Sequence, residues 1–254
     1  MQWGPFLEAI ELRHDRVPSF ERYPFNIPAV RHLTSLPLHP QVTFFIGENG
    51  TGKSTLLEAV AVVENFNAEG GSRSFNFATR ESHSDLCKAI RLKRGSGGVR
   101  RGEGYFFRAE SFYNVATEIE RLDEESGGGP RIIAGYGGKS LHNQSHGEAF
   151  FSLVTNRLRG NGLYLFDEPE SALSPQRQLS LLAAMHDLLA RDSQFIIATH
   201  SPIILGYPHA MIYEFSRDGI RPIAYEDTEH YKVTRAFLTR REPMLKQLLG
   251  GEGE

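Results

Sequence analysis

The chain has 254 residues, a formal net charge of −3 and a single cysteine, Cys87. This length suits one large α/β domain with a stable core, and one cysteine excludes an internal disulfide framework or a cysteine-rich zinc site. No apolar run approaches the roughly 18 to 20 residues that cross a bilayer, and the small net charge gives no global attraction to nucleic acid. We therefore expect a cytoplasmic protein without direct membrane insertion.

Apolar periodicity and turn residues predict alternating strands and helices. In chain order these are strands at 6–13 and 42–46, a helix from 54, an irregular arm at about 70–104, a strand at 105–109 and a helix near 111–122. They continue with a helix after 145, a strand at 163–167, a helix at 175–190, a strand at 195–198, a hairpin at 210–224, a last helix from 228 interrupted at Pro243, and a flexible tail at about 250–254. This order predicts the α/β class.

A glycine-rich segment lies between the apolar strand at 42–46 and a helical run. It consists of Gly47, Glu48, Asn49, Gly50, Thr51, Gly52, Lys53 and Ser54. Glycines let the backbone curl so that successive N–H groups face one anion, Lys53 can reach the β- and γ-phosphates, and the Ser54 hydroxyl can ligand Mg²⁺. The alternative is a chance glycine-rich turn, but the strand, the loop spacing and the helix are all in place. The motif predicts binding of a nucleoside triphosphate.

A second motif is the apolar run at 163–167, which ends in two acids, Asp167 and Glu168. A buried parallel strand would deliver both carboxylates at its C-terminal end, where doubly wound sheets bind ligands. Asp167 would then hold the Mg²⁺ shell, and Glu168 could polarise an attacking water. Two adjacent acids could instead begin an ordinary loop. A further apolar run ends in His200, which alone indicates little because a neighbour usually satisfies such a histidine.

The segment at 145–148, Ser-His-Gly-Glu, precedes a helical run with apolar residues on one face. Ser145 and Glu148 stand in the relation of a helix capping box, so helix stability alone would justify both residues. The cap does not explain the position of the segment along the chain. Gly47 lies 98 residues before Ser145, and Asp167 lies 20 residues after Gly147.

The order of these motifs resembles that of the ATP-binding-cassette (ABC) ATPases. The sequences Asp-Glu-Pro-Glu-Ser-Ala-Leu-Ser-Pro at 167–175 and Ala-Thr-His-Ser-Pro at 198–202 are most similar to the soluble AAA-family ATPases of the RecF/SMC/OLD type, and residues 225–231 resemble a group of compact bacterial predicted ATPases. The resemblance implies a P-loop NTPase with an ABC-type ATPase head, in which helices flank a mixed central sheet. It implies one such domain over residues 1–254, with ATP and Mg²⁺ as cofactors.

The resemblance also implies a role for each motif. Residues 47–54 would be Walker A, with Thr55 completing the nucleotide site, and residues 163–167 would be Walker B. Glu168 looks like the catalytic glutamate and His200 like the switch histidine, with Lys53 beside them as the phosphate-binding lysine. The signature comprises Ser145, His146, Gly147 and Glu148, and the D-loop comprises Ser171, Ala172, Leu173 and Ser174. In this family the signature contacts ATP held on the opposite subunit, so the resemblance implies an ATP-dependent homodimer.

Two positions depart from the family pattern. The family has a glutamine at a strand end between Walker A and the signature, and here the only glutamine between Leu56 and Ser145 is Gln144, beside the signature itself. Glu110, after the strand at 105–109, is the best positional candidate for this Mg²⁺ contact, although it could equally be a plain loop acid. Ser174 stands where transporters commonly carry Asp, and as an N-cap before Pro175 it has a structural explanation.

The adenine contact is weakly marked. Family members often stack the base on an aromatic residue about two dozen positions before Walker A, and Phe20, Tyr23 and Phe25 lie in that window. We favour Tyr23, while Phe25 could equally belong to the core. Arg13 or Arg16 could replace stacking with a cation–π or polar contact.

One local cluster is strongly basic. It comprises Lys88, Arg91, Lys93, Arg94, Arg100 and Arg101, with no acid among the fourteen residues that hold it. The simpler interpretation is a solvated β-hairpin with a flexible tip. The alternative is a contact with the DNA backbone, because DNA affinity is largely electrostatic.

Three functions remain open on this basis. The first is a soluble Mg²⁺-dependent ATPase whose ATP-driven dimerisation acts on DNA or a protein partner, in DNA maintenance or defence. The second is the ATP-binding subunit of an ABC transporter whose membrane part is another chain. The third is a nucleotide-gated scaffold with little turnover. The Walker B and His200 contexts favour the first.

Overall fold

The computed structural model describes residues 4–73, 84–95, 103–125 and 131–250. Its strands, in chain order, are β1 (Leu7–Leu12), β2 (Ser35–Pro37), β3 (Val42–Ile46), β4 (Ile90–Arg94), β5 (Glu103–Arg108), β6 (Gly162–Asp167), β7 (Gln194–Ala198), β8 (Met211–Ser216) and β9 (Gly219–Pro222). Its α-helices are α1 (Pro28–Arg31), α2 (Lys53–Val63), α3 (Leu86–Ala89), α4 (Phe112–Glu125), α5 (His146–Asn156), α6 (Pro175–Leu189), α7 (Pro202–Leu205), α8 (Glu229–Thr239) and α9 (Arg241–Leu248).

The central sheet has the order β5–β6–β7–β3–β8–β9. Neighbouring strands from β5 to β8 pair in parallel, and β9 pairs antiparallel with β8. Every residue of β3, β6 and β7 is buried, as expected for parallel strands that are covered on both faces. The predicted α/β fold with a mixed central sheet flanked by helices is therefore confirmed.

Two apolar clusters cover the two faces of this sheet. On one face, side chains of α4, α5 and α6 pack around an aromatic group in which the rings of Phe107 and Phe150 lie 4.5 Å apart. On the other face, α2 packs between the central sheet and a second sheet, which has the order β2–β1–β4. The loops that follow β3, β6 and β7 consequently meet at one edge of a rigid, fully buried scaffold.

The region predicted as an irregular arm, about 70–104, is only partly irregular. Residues Leu86–Ala89 form α3, and β4 pairs antiparallel with β1, a partner some 80 positions earlier in the chain. The predicted β-hairpin around the basic cluster is wrong, because β4 and β5 belong to different sheets. Arg100, Arg101 and the tip between them and β4 lie outside the described residues, as does the predicted tail at 251–254.

The basic residues of the cluster that the structure describes are each paired with an acid. Lys88 contacts Asp85 at 2.6 Å, Arg91 contacts Glu11 at 2.5 Å, Lys93 contacts Glu8 at 3.0 Å and Arg94 contacts Glu64 at 2.7 Å. These acids lie far from the cluster in sequence, except for Asp85, so composition alone did not reveal them. Much of the positive charge of the cluster is therefore balanced locally.

The end of the chain also differs from the prediction. The last helical segment breaks at Arg240, between α8 and α9, and Pro243 lies in the first turn of α9. A proline is tolerated there because the first N–H groups of a helix have no partner within the helix. The predicted interruption at Pro243 is therefore displaced by three residues. No helix in the described part of the chain is long and apolar enough to span a membrane.

Candidate active site

The phosphate loop connects β3 to α2 and depends on its glycines. Gly47, Gly50 and Gly52 have φ values of 133°, 80° and 100°, a region that side chains disfavour. At Gly47 an added Cβ would also lie 2.2 Å from the carbonyl oxygen of Phe215, so the loop approaches β8 too closely for any other residue. This backbone leads directly into the N-terminus of α2, where the helix dipole favours an anion.

Lys53 lies within the curve of this loop. Its Nζ donates to the carbonyl oxygens of Gly47 at 2.6 Å and Glu48 at 2.9 Å, and the residue is only 4% exposed. Burial lowers the pKa of Lys53, and the nearby carboxylates of the β6 loop oppose that shift. The lysine is thus held beside the loop N–H groups, where an incoming phosphate would meet it.

Ser54 and Asp167 come together across 113 positions of sequence. The Ser54 hydroxyl donates to Asp167 Oδ1 at 2.8 Å. Burial raises the pKa of Asp167 to about 6, against the opposing effects of this hydrogen bond and of Arg108. A hydroxyl and a carboxylate on one side of a phosphate loop are the donor set with which such loops hold Mg²⁺.

Arg108, at the end of β5, is a site residue that the sequence interpretation missed. Its Nη1 donates to Glu58 Oε2 at 2.6 Å, and its Nε lies 3.6 Å from Asp167 Oδ2. Glu110, the predicted Mg²⁺ ligand, has a side chain that is 83% exposed and lies 3.8 Å from Arg108. Arg108, rather than Glu110, is the β5 residue in contact with Asp167. Its position opposite Asp167 at a strand end was the signal that could have found it.

Glu168 leaves β6 in the left-handed region, at φ 49° and ψ 53°. Strained backbone of this kind is common where a side chain must be aimed at a ligand. Its backbone N–H donates to the carbonyl of Ala198 at 2.9 Å, and its Oε1 lies 3.8 Å from His200 Nε2. The structure therefore brings together the predicted catalytic glutamate and the predicted switch histidine.

Glu170 is a second residue that the sequence interpretation missed. It accepts hydrogen bonds from Thr199 Oγ1 at 2.8 Å and from the backbone N–H of His200 at 2.5 Å. Burial raises the pKa of this carboxyl group, while both hydrogen bonds oppose the rise. Glu170 thus links the loop after β6 to the loop after β7 and fixes the backbone that carries His200.

His200 is half-buried and contacts a further histidine. Its Nδ1 lies 3.1 Å from Nε2 of His230, at the start of α8. Burial, together with the charge of Lys53 and the neighbouring His230, lowers the pKa of His200 to about 4. The imidazole is therefore neutral at neutral pH. His230 was not predicted, because a contact across 30 positions between a loop and the start of a helix has no sequence signature.

The cavity beside the phosphate loop has a volume of about 810 Å³. The loop residues Gly47 to Thr51 line one side, and His200, Glu229 and His230 line the other. Tyr23 lies nearby, 66% exposed, with its hydroxyl 3.4 Å from Thr55 Oγ1. Phe25 is a core residue with 1% exposure, so Tyr23 is the accessible aromatic residue at this loop.

The signature residues form the predicted capping box at the start of α5. Ser145 N–H donates to Glu148 Oε2 at 2.9 Å, and Glu148 N–H donates to Ser145 Oγ at 3.4 Å. Ser145, His146 and Glu148 are exposed, and His146 packs edge-on against Tyr113. Glu148 lines a different cavity, of about 470 Å³, together with Arg177. None of the signature residues lines the cavity of the phosphate loop.

The predicted D-loop connects the two motifs. The Ser171 hydroxyl donates to the carbonyl of Glu168 at 2.5 Å, and Leu173 is buried. A Cβ on Gly147 would lie 2.9 Å from the carbonyl oxygen of Ala172, so the signature packs against this loop through a glycine. Ser174 caps α6 by accepting from the N–H of Arg177 at 3.4 Å, as predicted.

Comparisons with known proteins agree with this architecture. Residues 142–206, from the signature through the His200 segment, match the family described as "AAA domain, putative AbiEii toxin, Type IV TA system". A bacterial Atm1-family ABC exporter with ATP bound is similar to this chain with a TM-score of 0.51 and 14% identity, covering 91% of this chain and 43% of the exporter. No curated protein matches the sequence.

Two further solved structures are more distant. The SMC head domain from Thermotoga maritima has a TM-score of 0.44 and 16% identity, covering 86% of this chain and 99% of that domain. The cbiO1 protein from Clostridium perfringens, part of the ABC transporter complex cbiONQ, has a TM-score of 0.47 and 15% identity, covering 97% of this chain and 100% of cbiO1.

The fold and the site together define a class, the P-loop NTPases. Within that class, the match of residues 142–206 to an AAA-domain family supports the recognition made from the motifs, an ABC/AAA-type ATPase, and the exporter shows a shared fold. The recognised segment includes the signature, Asp167, Glu168 and His200.

Proposed function

We propose that this protein hydrolyses ATP with Mg²⁺ and uses ATP to close a head-to-tail dimer. The observation that carries the first part is the hydrogen bond between Ser54 and Asp167, with Lys53 buried in the adjacent loop. Three side chains from β6 and the start of α2 thereby converge on the N-terminus of one helix. Phosphoryl transfer requires this combination of phosphate positioning and charge neutralisation.

The residues present fit a Mg²⁺–nucleotide complex. Mg²⁺ is usually bound through one or two carboxylates and the substrate phosphates, with water completing its shell. Asp167 and Ser54 supply the protein part of this set, and the described residues hold no group of three or more His, Cys, Asp or Glu side chains that would form an all-protein cage. Held there by Asp167 and Ser54, Mg²⁺ would supply neutralisation of the charge that develops on the phosphate during transfer.

The remaining steps belong to side chains of this chain. Lys53, now bonded to two loop carbonyls, can donate instead to phosphate oxygens. Glu168 is the general base that orients the attacking water, and His200, which is neutral, donates a hydrogen bond toward the γ-phosphate. Tyr23 beside Thr55 stacks on the adenine. Glu110 remains a predicted ligand; Arg108 contacts Asp167 but, as a cation without an acceptor atom, cannot ligand the metal in its place.

The test separates binding from turnover. We expect Lys53→Ala to lose ATP binding and Glu168→Gln to bind ATP normally but to lose turnover, because Lys53 neutralises phosphate charge in every state while Glu168 acts only on the water. Radiolabelled ATP binding and phosphate release measure the two properties. Lys246→Ala and Glu242→Gln, exposed residues on α9, are the matched controls. Wild-type hydrolysis by Glu168→Gln would show that the base is misassigned.

The output of the cycle is the lifetime of the dimer. Hydrolysis removes the γ-phosphate that would bridge the two halves, so dimer opening reports the nucleotide state to a DNA or protein partner. The RecF/SMC resemblance supports this function. A transporter subunit would instead co-purify with a membrane partner, and a scaffold would bind ATP with little phosphate release.

A further inference from the structure

The pair formed by His200 and His230 connects the γ-phosphate side of the site to α8. Their rings have centroids 5.3 Å apart, and the His200 Nδ1 to His230 Nε2 distance of 3.1 Å is a hydrogen bond. The other ring nitrogens, His200 Nε2 and His230 Nδ1, are buried and have no hydrogen-bond partner among the described atoms. His200 Nε2 faces Glu168 Oε1 at 3.8 Å.

Which of the two rings donates the proton in this hydrogen bond determines whether His200 Nε2 carries a proton of its own. If His230 Nε2–H donates to His200 Nδ1, the single remaining proton of neutral His200 is on Nε2, which faces Glu168 Oε1. If the direction is reversed, His200 presents a bare lone pair to the Glu168 carboxylate, which is repulsive. Glu168 therefore selects the arrangement in which His230 is the donor. Burial, followed by the charge of Lys53, lowers the pKa of both histidines, while Glu229 and Glu214 oppose the shift at His230.

Polar contacts, rather than core packing, hold His230 in place. Thr228 is fully buried and caps α8 by accepting from the N–H of Tyr231 at 3.2 Å. The hydroxyl of Tyr225 donates to the carbonyl of Pro202 at 2.8 Å, two positions after His200. Beyond this first turn, α8 contributes no buried side chain. The start of α8 is thus tied to the loop that carries His200, and the rest of the helix is not needed to place the ring.

We propose that His230 is a positioning residue that holds His200 in the Nε2–H tautomer, so that His200 donates to Glu168 or to a phosphate oxygen. This inference rests on the proposed ATPase function. It assigns a function to the Thr-Glu-His-Tyr segment at 228–231, which lies outside the motifs shared with other ABC-type ATPases. His230 acts through His200 and need not touch the nucleotide.

Two variants of His230 separate positioning from folding. In His230→Ala the donor is lost, and we expect kcat for ATP to fall about ten- to a hundredfold, as when other outer-shell partners of catalytic ligands are removed. KM should change little, because phosphate binding depends on the loop and Lys53. In His230→Gln the amide N–H reaches the position of Nε2, and we expect kcat to recover to within a few-fold of wild type. His186→Ala, which removes a histidine paired with Tyr207 on another surface, is the control.

A direct readout of the tautomer does not depend on activity. Nitrogen NMR of the ATP-free protein, with His200 assigned through His200→Gln, should show the Nε2–H form in wild type and His230→Gln and a mixture of tautomers in His230→Ala. Wild-type kcat in His230→Ala, or an unchanged His200 tautomer in that variant, would overturn the inference. If wild type releases no phosphate, the proposed ATPase function fails, while the tautomer measurement still decides the role of His230.

Discussion

Arg108 is the cation on which the buried acids of the site depend. It contacts Glu58 and Asp167, which are 9% and 5% exposed, and its own side chain is 24% exposed. Coulomb attraction is strong in such buried surroundings. Its main consequence is that removing either partner leaves a buried charge unpaired, which costs free energy of folding. An arginine also satisfies both acids at once, because its fork of donors is rigid.

We therefore expect Arg108→Ala to destabilise the nucleotide-free protein by about 3 kcal/mol, since two buried carboxylates lose their cation. Arg13→Ala is the matched control, because Arg13 also pairs with an acid, Asp15, but the two side chains are 40% and 65% exposed. Exposed pairs contribute about 0 to 1 kcal/mol each, so the control should change little. Urea unfolding monitored by fluorescence gives both values. Equal losses in the two variants would contradict the role of Arg108.

The low pKa of His200 predicts a dependence of stability on pH. In the folded protein the pKa is about 4, below the ordinary 6.5, so the unfolded chain takes up the proton first as pH falls. This contribution to stability is complete above pH 6.5 and is lost as pH falls from 6.5 to 4. The full shift corresponds to roughly 3 kcal/mol, and solvent contact of the half-exposed ring reduces it to about 1 kcal/mol.

His200→Gln should accordingly lose less stability than wild type on acidification between pH 6.5 and 4.5. Denaturant unfolding at several pH values measures the two slopes. Asp167 and Glu170, whose pKa values are raised, contribute with the opposite sign in both proteins and cancel in the comparison. The control is His186→Gln, which should have the wild-type slope. A slope in His200→Gln as steep as in wild type would contradict the assigned pKa.

At the scale of secondary-structure elements, Ser145 has an observed role in capping the signature helix α5 and a proposed role in ATP binding. The capping box at Ser145 stabilises α5, and the same hydroxyl is the predicted contact with ATP across the dimer. Substituting a capping serine by alanine typically costs about 1 kcal/mol, whereas asparagine caps a helix as well as serine does. The two functions therefore respond differently to two substitutions at one position.

We expect Ser145→Ala to lose about 1 kcal/mol of stability and Ser145→Asn to be as stable as wild type, while both lose ATP turnover. Ser174→Ala, which removes the corresponding cap of α6, provides a control for the energetic cost of losing a cap. Thermal unfolding and phosphate release are measured on the same samples. Full turnover in Ser145→Asn would show that the hydroxyl is only a cap.

The elements that the sequence predicted are those with strong local patterns. The buried strands β3, β6 and β7 are continuous apolar runs, and α5 and α6 begin at recognisable caps. The structure differs from the prediction where a contact between residues distant in sequence determines the local conformation. The sequence predicted residues 90–94 to be part of a solvated hairpin. They instead pair with β1, whose Glu8 and Glu11 balance their charge. Local pattern cannot predict such pairing.

The site residues also divide into those that lie in local sequence motifs and those that are placed by contacts distant in sequence. Lys53, Ser54, Asp167 and Glu168 lie in short motifs with fixed spacing, so their types and order were sufficient to predict them. Arg108, Glu170 and His230 act through contacts with residues of other elements or loops, across 29 or more positions in each case. Their residue types are common at surfaces, and only the folded arrangement distinguishes them from solvent-exposed charges.

At the scale of the whole molecule, the proposed dimer would divide each ATP site between two chains. The phosphate loop and His200 line one cavity, and the signature residue Glu148 lines another cavity beside Arg177. A head-to-tail dimer would place the signature of one subunit over the phosphate loop of the other and the reverse, which is an isologous contact generated by a two-fold rotation. ATP would supply the contacts that close it.

Complementation between two inactive variants tests this composite site. Lys53→Ala lacks a working phosphate loop but keeps its signature, whereas Ser145→Arg keeps the loop and blocks the signature. We expect each variant alone to be inactive and their equimolar mixture to recover about a quarter of the wild-type rate, because half of the dimers are mixed and each has one intact site. Ser35→Arg, on the exposed edge strand β2, is the control and should be fully active alone. Light scattering of Glu168→Gln should show a dimer that forms only with ATP. If the mixture stays inactive and that variant stays monomeric at saturating ATP, each chain must hydrolyse ATP, if at all, within its own phosphate loop.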